Sequence, residues 1–530
     1  MEVSKDIDPT STPWAQNGFY PSRQGNEIQI FIDGQAAYGE IATAFRSARQ
    51  FIYMTISFGD LDFLLVPDFP KVEETFFYIL RSRSNERVDV RMVVWQPAFR
   101  TPDTIPDPAP DKIQGVNEGP GSIQARWDKA PGFNGRYTSV LNLFDPKFIN
   151  FSAEFGCHHQ KTYIMDDGDG GFVAFVGGIN PVQTYWDTSD HDSLDVRRVE
   201  WKYPYPLKWL EKNPPLHDIF YRIKGPAVGD VLANFVERYN NATIPHADVT
   251  SYVVAPVTPD QIPPVPDGIE VQVLRTIAPN TYHTIPEGDL GIRDLYLKAL
   301  KGAAEAGEGS LVYIENQYFF DHGIIAEIHA AAERGTKIIA LLTWKPDEGT
   351  FLGRVEKEWE RLSYLQDQSK MVEGHNNVAL LTLGNCRPDP RTQGKFIYSE
   401  TYIHSKTMAV FTPDWAVMTG GSANIAFTSM WFHSEMNIAF MDTALIKNWV
   451  AQLWSEHLRV SVDDAKELIE KPDDALTFFK AQADDNYNAL KQGLVPKGRV
   501  YDWKSTQFPA RDLAGINLDE VHLGGGSSQG

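Results

Sequence analysis

Two stretches of this chain are versions of one pattern, and together they constrain the fold more than any other feature. His159-Gln160-Lys161-Thr162-Tyr163-Ile164-Met165-Asp166 leads to Gly177-Gly178-Ile179-Asn180, and Tyr402-Ile403-His404-Ser405-Lys406-Thr407-Met408 leads to Gly421-Ser422-Ala423-Asn424. Gly177 follows His159 by 18 residues and Gly421 follows His404 by 17. The repetition extends upstream. Phe51 to Phe58 pairs with Leu311 to Phe319, each after a helix-like stretch (Ala36 to Ala48, Ile292 to Ala304) with apolar residues at three- and four-residue spacing. Val90 to Trp95 pairs with Ile338 to Trp344, short β-rich runs that suit buried strands. Trp95 and Trp344 are 249 positions apart and His159 and His404 are 245 apart, an offset held as two copies of one α/β unit require.

A length of 530 residues suggests several domains, but two homologous halves can fuse into one body of about twice the usual domain size. The division expected is a first half over 1–254, a connector over 255–268 with five prolines, a second half over 269–504 and a tail over 505–530. Pro97 to Gly135, rich in Pro, Gly and Asp, reads as a loop at a site entrance. Period two places His159, Lys161, Tyr163 and Met165 on one face of a hairpin strand, and His404, Lys406 and Met408 likewise. Asp166 to Gly171 and Thr412-Pro413-Asp414 supply the reversals, and the returning strands bring Asn180 and Asn424 back toward their histidines.

The chemistry of this set is specific. A neutral imidazole can attack phosphorus, a protonated one can donate to a leaving oxygen, and Lys161, Lys406, Asn180 and Asn424 can hold non-bridging oxygens. Such a set uses no metal and no cofactor. Lys and Arg number 49 against 70 Asp and Glu, and the formal charge of -21 repels polyanions on average, which argues against nucleic acid as substrate. Cys157 and Cys386 are too few for a disulfide framework. The amino terminus lacks the charged and apolar parts of a secretory signal, and no apolar run approaches the roughly 18 residues of a membrane span. The chain reads as soluble as synthesised, either cytoplasmic or exported by a route that uses no signal peptide.

At this point the sequence resembles the phospholipase D superfamily, over about Ile28 to Arg459. Leu216-His217-Asp218 followed by Gly225-Pro226-Ala227-Val228 and Phe235 to Asn240, then Val271 to Thr276 and Tyr313-Ile314-Glu315-Asn316-Gln317-Tyr318-Phe319, are similar to signatures of its phosphatidylcholine-cleaving branch. The resemblance implies two α/β/α sandwich halves related by pseudo-twofold symmetry, one site at their interface and a covalent phosphohistidine intermediate. It implies His159 as nucleophile, His404 as general acid and then base, and Lys161, Lys406, Asn180 and Asn424 on the phosphoryl oxygens. Glu435 sits where the family places an acid that orients a histidine, for the second half. Asp187 is the first choice for the first half, with Asp190 and Asp192 as alternatives. The implied substrate is a glycerophospholipid, phosphatidylcholine or phosphatidylethanolamine, at a membrane surface or micelle, acted on by a monomer.

One departure stands out. The family motif carries Asp seven residues after the His; Asp166 satisfies this, but position 411 is Phe, with Asp414 three residues further on. Trp186 and Trp431, with Tyr185 and Phe432, are candidates for contact with acyl chains or a quaternary ammonium head group, although core packing is the plainer reading. His158, His191, His217, His322 and His433 read as packed or surface residues. Two other classes remain open: a phosphodiesterase acting on nucleic acid or another phosphodiester, and a non-catalytic phosphate-binding protein, which Phe411 motivates.

Overall fold

The apolar runs that carry the repetition become strands buried along their whole length. The computed structural model describes residues 14–68, 71–96, 123–129, 157–242, 253–319, 321–344, 375–503 and 506–518. The first half contains β1 (Ser22–Ile32), β2 (Phe51–Ile56), β3 (Asp89–Gln96), β4 (Gln124–Lys129), β5 (Lys161–Asp166), β6 (Phe172–Gly177), β7 (Leu216–His217) and β8 (Ile219–Lys224). The second contains β9 (Ile269–Ile277), β10 (Asp289–Leu290), β11 (Leu311–Asn316), β12 (Lys337–Leu342), β13 (Val378–Pro388), β14 (Phe396–Ile403), β15 (Lys406–Phe411), β16 (Ala416–Gly421), β17 (Glu435–Phe440) and β18 (Val500–Asp502). The principal helices are α1 (Asp33–Ser47), α2 (Phe76–Asn85), α3 (Val228–Asn241), α4 (Gly291–Ala306), α5 (His322–Glu333), α6 (Thr443–Leu458), α7 (Val462–Ile469) and α8 (Pro472–Gln492).

Strand pairing reproduces one topology twice. The first half runs β4-β3-β2-β5-β6-β8-β1, with β2, β3 and β4 mutually parallel and the rest antiparallel. The second runs β13-β12-β11-β15-β16-β17-β9 with the same parallel and antiparallel steps. Helices recur in the same places: α1 and α4 precede β2 and β11, α2 and α5 follow those strands, and α3 and α6 follow β8 and β17. β1 joins the sheets, pairing with β8 from Glu27 to Ile32 and with β9 from Ser22 to Asn26.

The layering follows from which face each strand residue presents. Outward residues of the first sheet, such as Ile52, Met54 and Met165, pack under α1 and α2. Their counterparts Val312, Ile314 and Met408 pack under α4 and α5. Inward residues of both sheets, including Tyr53, Ile164, Tyr313 and Ala409, share one central cluster with Phe235 of α3 and Trp454 of α6. A core common to both halves makes their docking a hydrophobic interface rather than a hinge.

Two sequence expectations change here. The stretch Pro97 to Gly135 is not loop throughout: Gln124–Lys129 is β4, parallel to β3, and its flanks lie outside the described residues. Within the segment assigned as a tail, residues 506–518 are described and packed, with Leu513 and Ile516 buried against Leu194 and Leu210 of the first half. Reciprocally, Trp14 and Ala15 join the outer cluster of the second half, where Lys298 Nζ donates to the Trp14 carbonyl at 2.9 Å.

Asp166 and Phe411 end equivalent strands in different ways. The Asp166 carboxylate accepts from the backbone N–H groups of Arg49, Gln50 and Phe51 at 2.8, 2.8 and 3.0 Å, pinning the turn that enters β2. Phe411 faces Leu311 across the ladder and is buried in the central cluster, so apolar packing closes the corresponding junction. Asp166→Ala is therefore expected to cost about 2–4 kcal/mol of unfolding free energy, read from urea denaturation, since three backbone donors lose a charged acceptor. A loss below about 0.5 kcal/mol would show that the turn holds without it.

Candidate active site

Both motif histidines lie just ahead of a strand rather than within one. β5 begins at Lys161 and β15 at Lys406, and both are buried along their whole length; Tyr163 and Met165 share the outward face of β5 as the period of two requires, with Ile164 on the other. The His-x-Lys spacing lets each lysine reach back: Lys161 Nζ donates to the His159 carbonyl at 2.7 Å, and Lys406 Nζ donates to the His404 carbonyl. Lys406 Nζ also donates to Gln317 Oε1 at 3.2 Å, and Gln317 Nε2 donates to Tyr402 Oη at 2.8 Å.

Each histidine is held by the opposite half. The backbone N–H of His159 donates to the Ser434 carbonyl, and that of His404 to the His217 carbonyl, both at 2.8 Å. His159 Nδ1 lies 3.1 and 3.0 Å from the two carboxylate oxygens of Glu435. His404 Nδ1 lies 2.6 Å from Asp218 Oδ2. Glu435 opens β17 and Asp218 immediately precedes β8, the equivalent strand, so the symmetry that relates the halves also exchanges the two pairs. Tyr221 of β8 meets Thr407 of β15 at 3.0 Å, and a Cβ on Gly420 would fall 2.0 Å from that phenol oxygen. The glycine allows β16 of one half to approach β8 of the other closely enough for the exchange.

The expected carboxylate partners are corrected accordingly. Glu435 serves the first-half histidine, not the second. Asp187 is not a partner of either: its carboxylate lies 3.1 Å from His191 Nδ1 and accepts from the backbone of Leu216 at 2.7 Å, which exhausts its reach. Asp192 pairs with Arg387, and the Asp190 carbonyl accepts from Asn385. Trp186 is 1% exposed in the outer core of the first half, so its place is packing. Trp431 packs against the outer core of the second half with the Arg293 guanidinium 4.6 Å above its ring. Tyr185 does reach the site, its ring 4.7 Å from that of His404. Asn180 Oδ1 accepts from Ser57 N–H at 3.3 Å, leaving Nδ2 buried and unpartnered, and Asn424 Oδ1 is likewise unpartnered. A half-turn of the latter amide exchanges its oxygen for NH2.

The two carboxylates differ in proton affinity, and their surroundings differ as well. Gly178 in the first half corresponds to Ser422 in the second. Ser422 Oγ donates to Glu435 at 2.6 Å, whereas Gly178 leaves only space beside Asp218, where a Cβ would fall 2.7 Å from the carboxylate. Burial alone raises Glu435, but His159 and His433 hold it well below the usual carboxylate range. His433 is itself lowered by burial and pushed well above its usual range by Cys157 and Glu435. Asp218 is raised by burial to about 7, against the pull of Lys406. Burial lowers His159 to about 4, against Glu435, and drives His404 well down with help from Lys406, Lys161 and His159. Burial also lowers Lys161 to about 8 and Lys406 to about 7.

An ionised Glu435 fixes the Nδ1–H tautomer of His159 and leaves Nε2 with a free lone pair, the state a nucleophile needs. The Asp218–His404 pair keeps one proton up to about neutral pH. Whichever partner carries it, His404 Nε2 then bears hydrogen, the state a general acid needs. Asp218, Ser422, His433 and Gln317 are the functional neighbours that the sequence reading left without a role.

The family profile described as Phospholipase D matches residues 44–341 of this chain. Phospholipase D beta 1 of Arabidopsis thaliana is 26% identical over 585 aligned residues, covering 84% of this chain and 52% of that protein. Phospholipase D A of Dictyostelium discoideum is 22% identical and covers 83% of this chain and 36% of its own length. The chain thus spans about half or less of the length of these relatives. Among solved structures, phosphatidylserine synthase of Haemophilus influenzae Rd KW20 aligns with 11% identity and a TM-score of 0.49, over 86% of this chain and 94% of that one. With more than half of its length under that profile, the chain belongs to the phospholipase D family.

Proposed function

We propose that this protein is a phospholipase D that hydrolyses glycerophospholipids, phosphatidylcholine or phosphatidylethanolamine, to phosphatidic acid and the head-group alcohol. The observation that carries the reading is the pair of crossed, unequal histidine–carboxylate contacts, one suited to attack and one to proton donation, beside two buried lysines. His159 Nε2 attacks phosphorus while the phosphorus–oxygen bond to the head group breaks, and His404 gives its proton to the departing oxygen. His404 then takes a proton from water, whose oxygen attacks phosphorus and breaks the phosphorus–nitrogen bond. Lys161, Lys406, Asn180 and Asn424 balance charge on the non-bridging oxygens throughout. The bound anion also favours the charged form of His404. Another alcohol can replace water in the second step, giving head-group exchange. The protein is taken to work as a monomer at a membrane surface or micelle; among the described residues no helix is long and apolar enough to cross a membrane.

The test is release of choline and phosphatidic acid from phosphatidylcholine vesicles, with added ethanol, by wild type and His159→Ala. Wild type should form both phosphatidic acid and phosphatidylethanol, and His159→Ala should fall by at least about 10³-fold in kcat. Hydrolysis without any phosphatidylethanol at high ethanol would remove the covalent intermediate. No release from phosphatidylcholine or phosphatidylethanolamine would remove the substrate class.

The pH profile of kcat/KM follows from the free protein's groups. His159 must be neutral, so activity falls as pH drops through about 4. The Asp218–His404 pair must keep its proton and Lys406 its charge, so activity falls as pH rises through about 7. A bell centred between these limbs is expected; a profile still rising above pH 8 would contradict the assignment.

A further inference from the structure

Between β6 and β7 the chain makes an excursion whose outer side gathers exposed aromatic rings and lysines. Residues 200–212 read Glu-Trp-Lys-Tyr-Pro-Tyr-Pro-Leu-Lys-Trp-Leu-Glu-Lys and end in a short helix, Pro206–Lys212. Trp201 is 37% exposed and Tyr205 61%, and Lys202, Lys208 and Lys212 are exposed with them. We propose that this face is the surface by which the protein seats itself on a phospholipid bilayer, with the mouth of the site beside the lipid. The inference rests on the phospholipase D reading and supplies the docking surface which that reading requires.

The excursion is two-sided, and its inner side is fixed. Leu210 is buried with Leu194, Val199, Leu513 and Ile516, and Tyr203, Leu207 and Trp209 pack against that cluster. Trp209 Nε1 donates to the Arg198 carbonyl at 2.9 Å, and Arg511 Nη1 donates to the Leu210 carbonyl at 2.6 Å. Pro204 and Pro206 restrict the backbone on either side of Tyr205. The outer side carries the residue types that a lipid interface takes. Indole and phenol rings have an apolar body and a polar tip and settle at the level of the head groups, while a lysine lays its stem along apolar surface and holds its ammonium within reach of phosphate. Here rings and ammonium groups adjoin: Lys202 Nζ lies 4.9 Å from the Trp201 ring centre and Lys208 Nζ 5.3 Å from that of Tyr205. Because the support is rigid, little ordering entropy is lost when the rings enter the interface.

The same excursion is fastened to the rim of the site. Trp201 Nε1 donates to the Asp62 carbonyl at 3.0 Å, and Lys202 Nζ pairs with Asp62 Oδ2 at 2.6 Å. Asp62 follows Phe58 by four residues, at most about 14 Å of extended chain. The Phe58 ring lies 6.0 Å from that of Tyr185, which lies 4.7 Å from the ring of His404. Phe58 and Tyr185 both reach solvent, so partly exposed aromatic surface extends from His404 to the strip that holds Trp201. Charge points the same way. The formal charge of -21 sets the chain as a whole against an anionic surface, and phosphatidic acid, the proposed product, makes one. On this face Glu211 accepts from the backbone of Leu513 on the inner side and Lys202 is paired, which leaves Lys208 and Lys212 to carry the outer charge. Lysines of this kind give a local attraction to anionic lipid that the average charge lacks.

The experiment follows co-sedimentation of the full chain with vesicles of phosphatidylcholine containing about 20 mol% phosphatidic acid, in the His159→Ala background so that the lipid is not consumed. The starting protein should bind, and adding Trp201→Ala with Tyr205→Ala should lower the partition coefficient at least about tenfold. Adding Lys208→Gln with Lys212→Gln instead should lower it roughly tenfold at low salt and little at high salt. Phe478→Ala removes an exposed ring from α8 and should change it less than about twofold. With His159 restored, the Trp201→Ala and Tyr205→Ala pair should lose activity on vesicles while keeping its kcat on dissolved short-chain phosphatidylcholine. Should the pair fail to fold, Tyr205→Ala alone, at the more exposed ring, takes its place. Vesicle binding unchanged by these substitutions overturns the proposal, and so does a starting protein that does not bind vesicles. Binding that depends on Trp201 and Tyr205, in a protein whose wild type releases neither choline nor phosphatidic acid, would overturn the reaction and uphold the surface.

Discussion

Each motif histidine takes its carboxylate from the other half, and this exchange is what the rest of the structure serves. Neither half holds a complete site alone. The 2.6 Å contact of His404 with Asp218 and the 3.0 Å contact of His159 with Glu435 come with β8 facing β16 and β17 facing β6 across a shared core. Gly420 against Tyr221 permits the approach, the common apolar cluster supplies its driving force, and β1 pairs with both sheets at once. Chain ends packed onto the opposite halves add to the same tie.

The symmetry is of backbone, not of charge. Ser422 gives Glu435 a hydroxyl donor that Gly178 cannot give Asp218, and His433 adds a second cation-capable neighbour on the Glu435 side. His159 and His433 hold the buried Glu435 well below the usual carboxylate range, while burial raises Asp218 to about 7, a difference that fits the opposite jobs proposed for the two histidines. Phe411 is a second break in symmetry. It exchanges a turn-capping carboxylate for apolar packing at the end of β15 away from His404, so it does not by itself argue against the proposed activity.

The repetition and its chemistry were legible in the residues because periodicity and fixed spacing are local properties. The parallel core strands, the helices between them and the two His-x-Lys segments could be read directly from the order of residues. Which acid serves which histidine could not, although Glu435 stood out. Glu435 and Asp218 meet their histidines across 276 and 186 positions and between halves, so choosing the nearest acid after the first motif led to Asp187, which is occupied by His191 and Leu216. The tripeptide Leu216-His217-Asp218 carries a family signature, but its contact with His404 is visible only in three dimensions. β4 was hidden for a related reason: Arg126 and Asp128 break its apolar pattern, and only their distant partners, Tyr239 for the first and Arg238 for the second, explain why they are buried. The indole of Trp186, beside a motif in sequence, points into the core because α1 closes over it at Gly34, where a Cβ would fall 2.7 Å from the Trp186 Cα.

The central claim is that crossed pairing makes His159 the nucleophile and His404 the acid. It is tested most directly by trapping the intermediate: mix enzyme and labelled phospholipid, quench in alkali on the millisecond scale, digest, and locate the phosphorylated histidine by mass spectrometry. The account predicts label on the peptide containing His159 and none on that containing His404. Label on His404, or on both in comparable amounts, would contradict it.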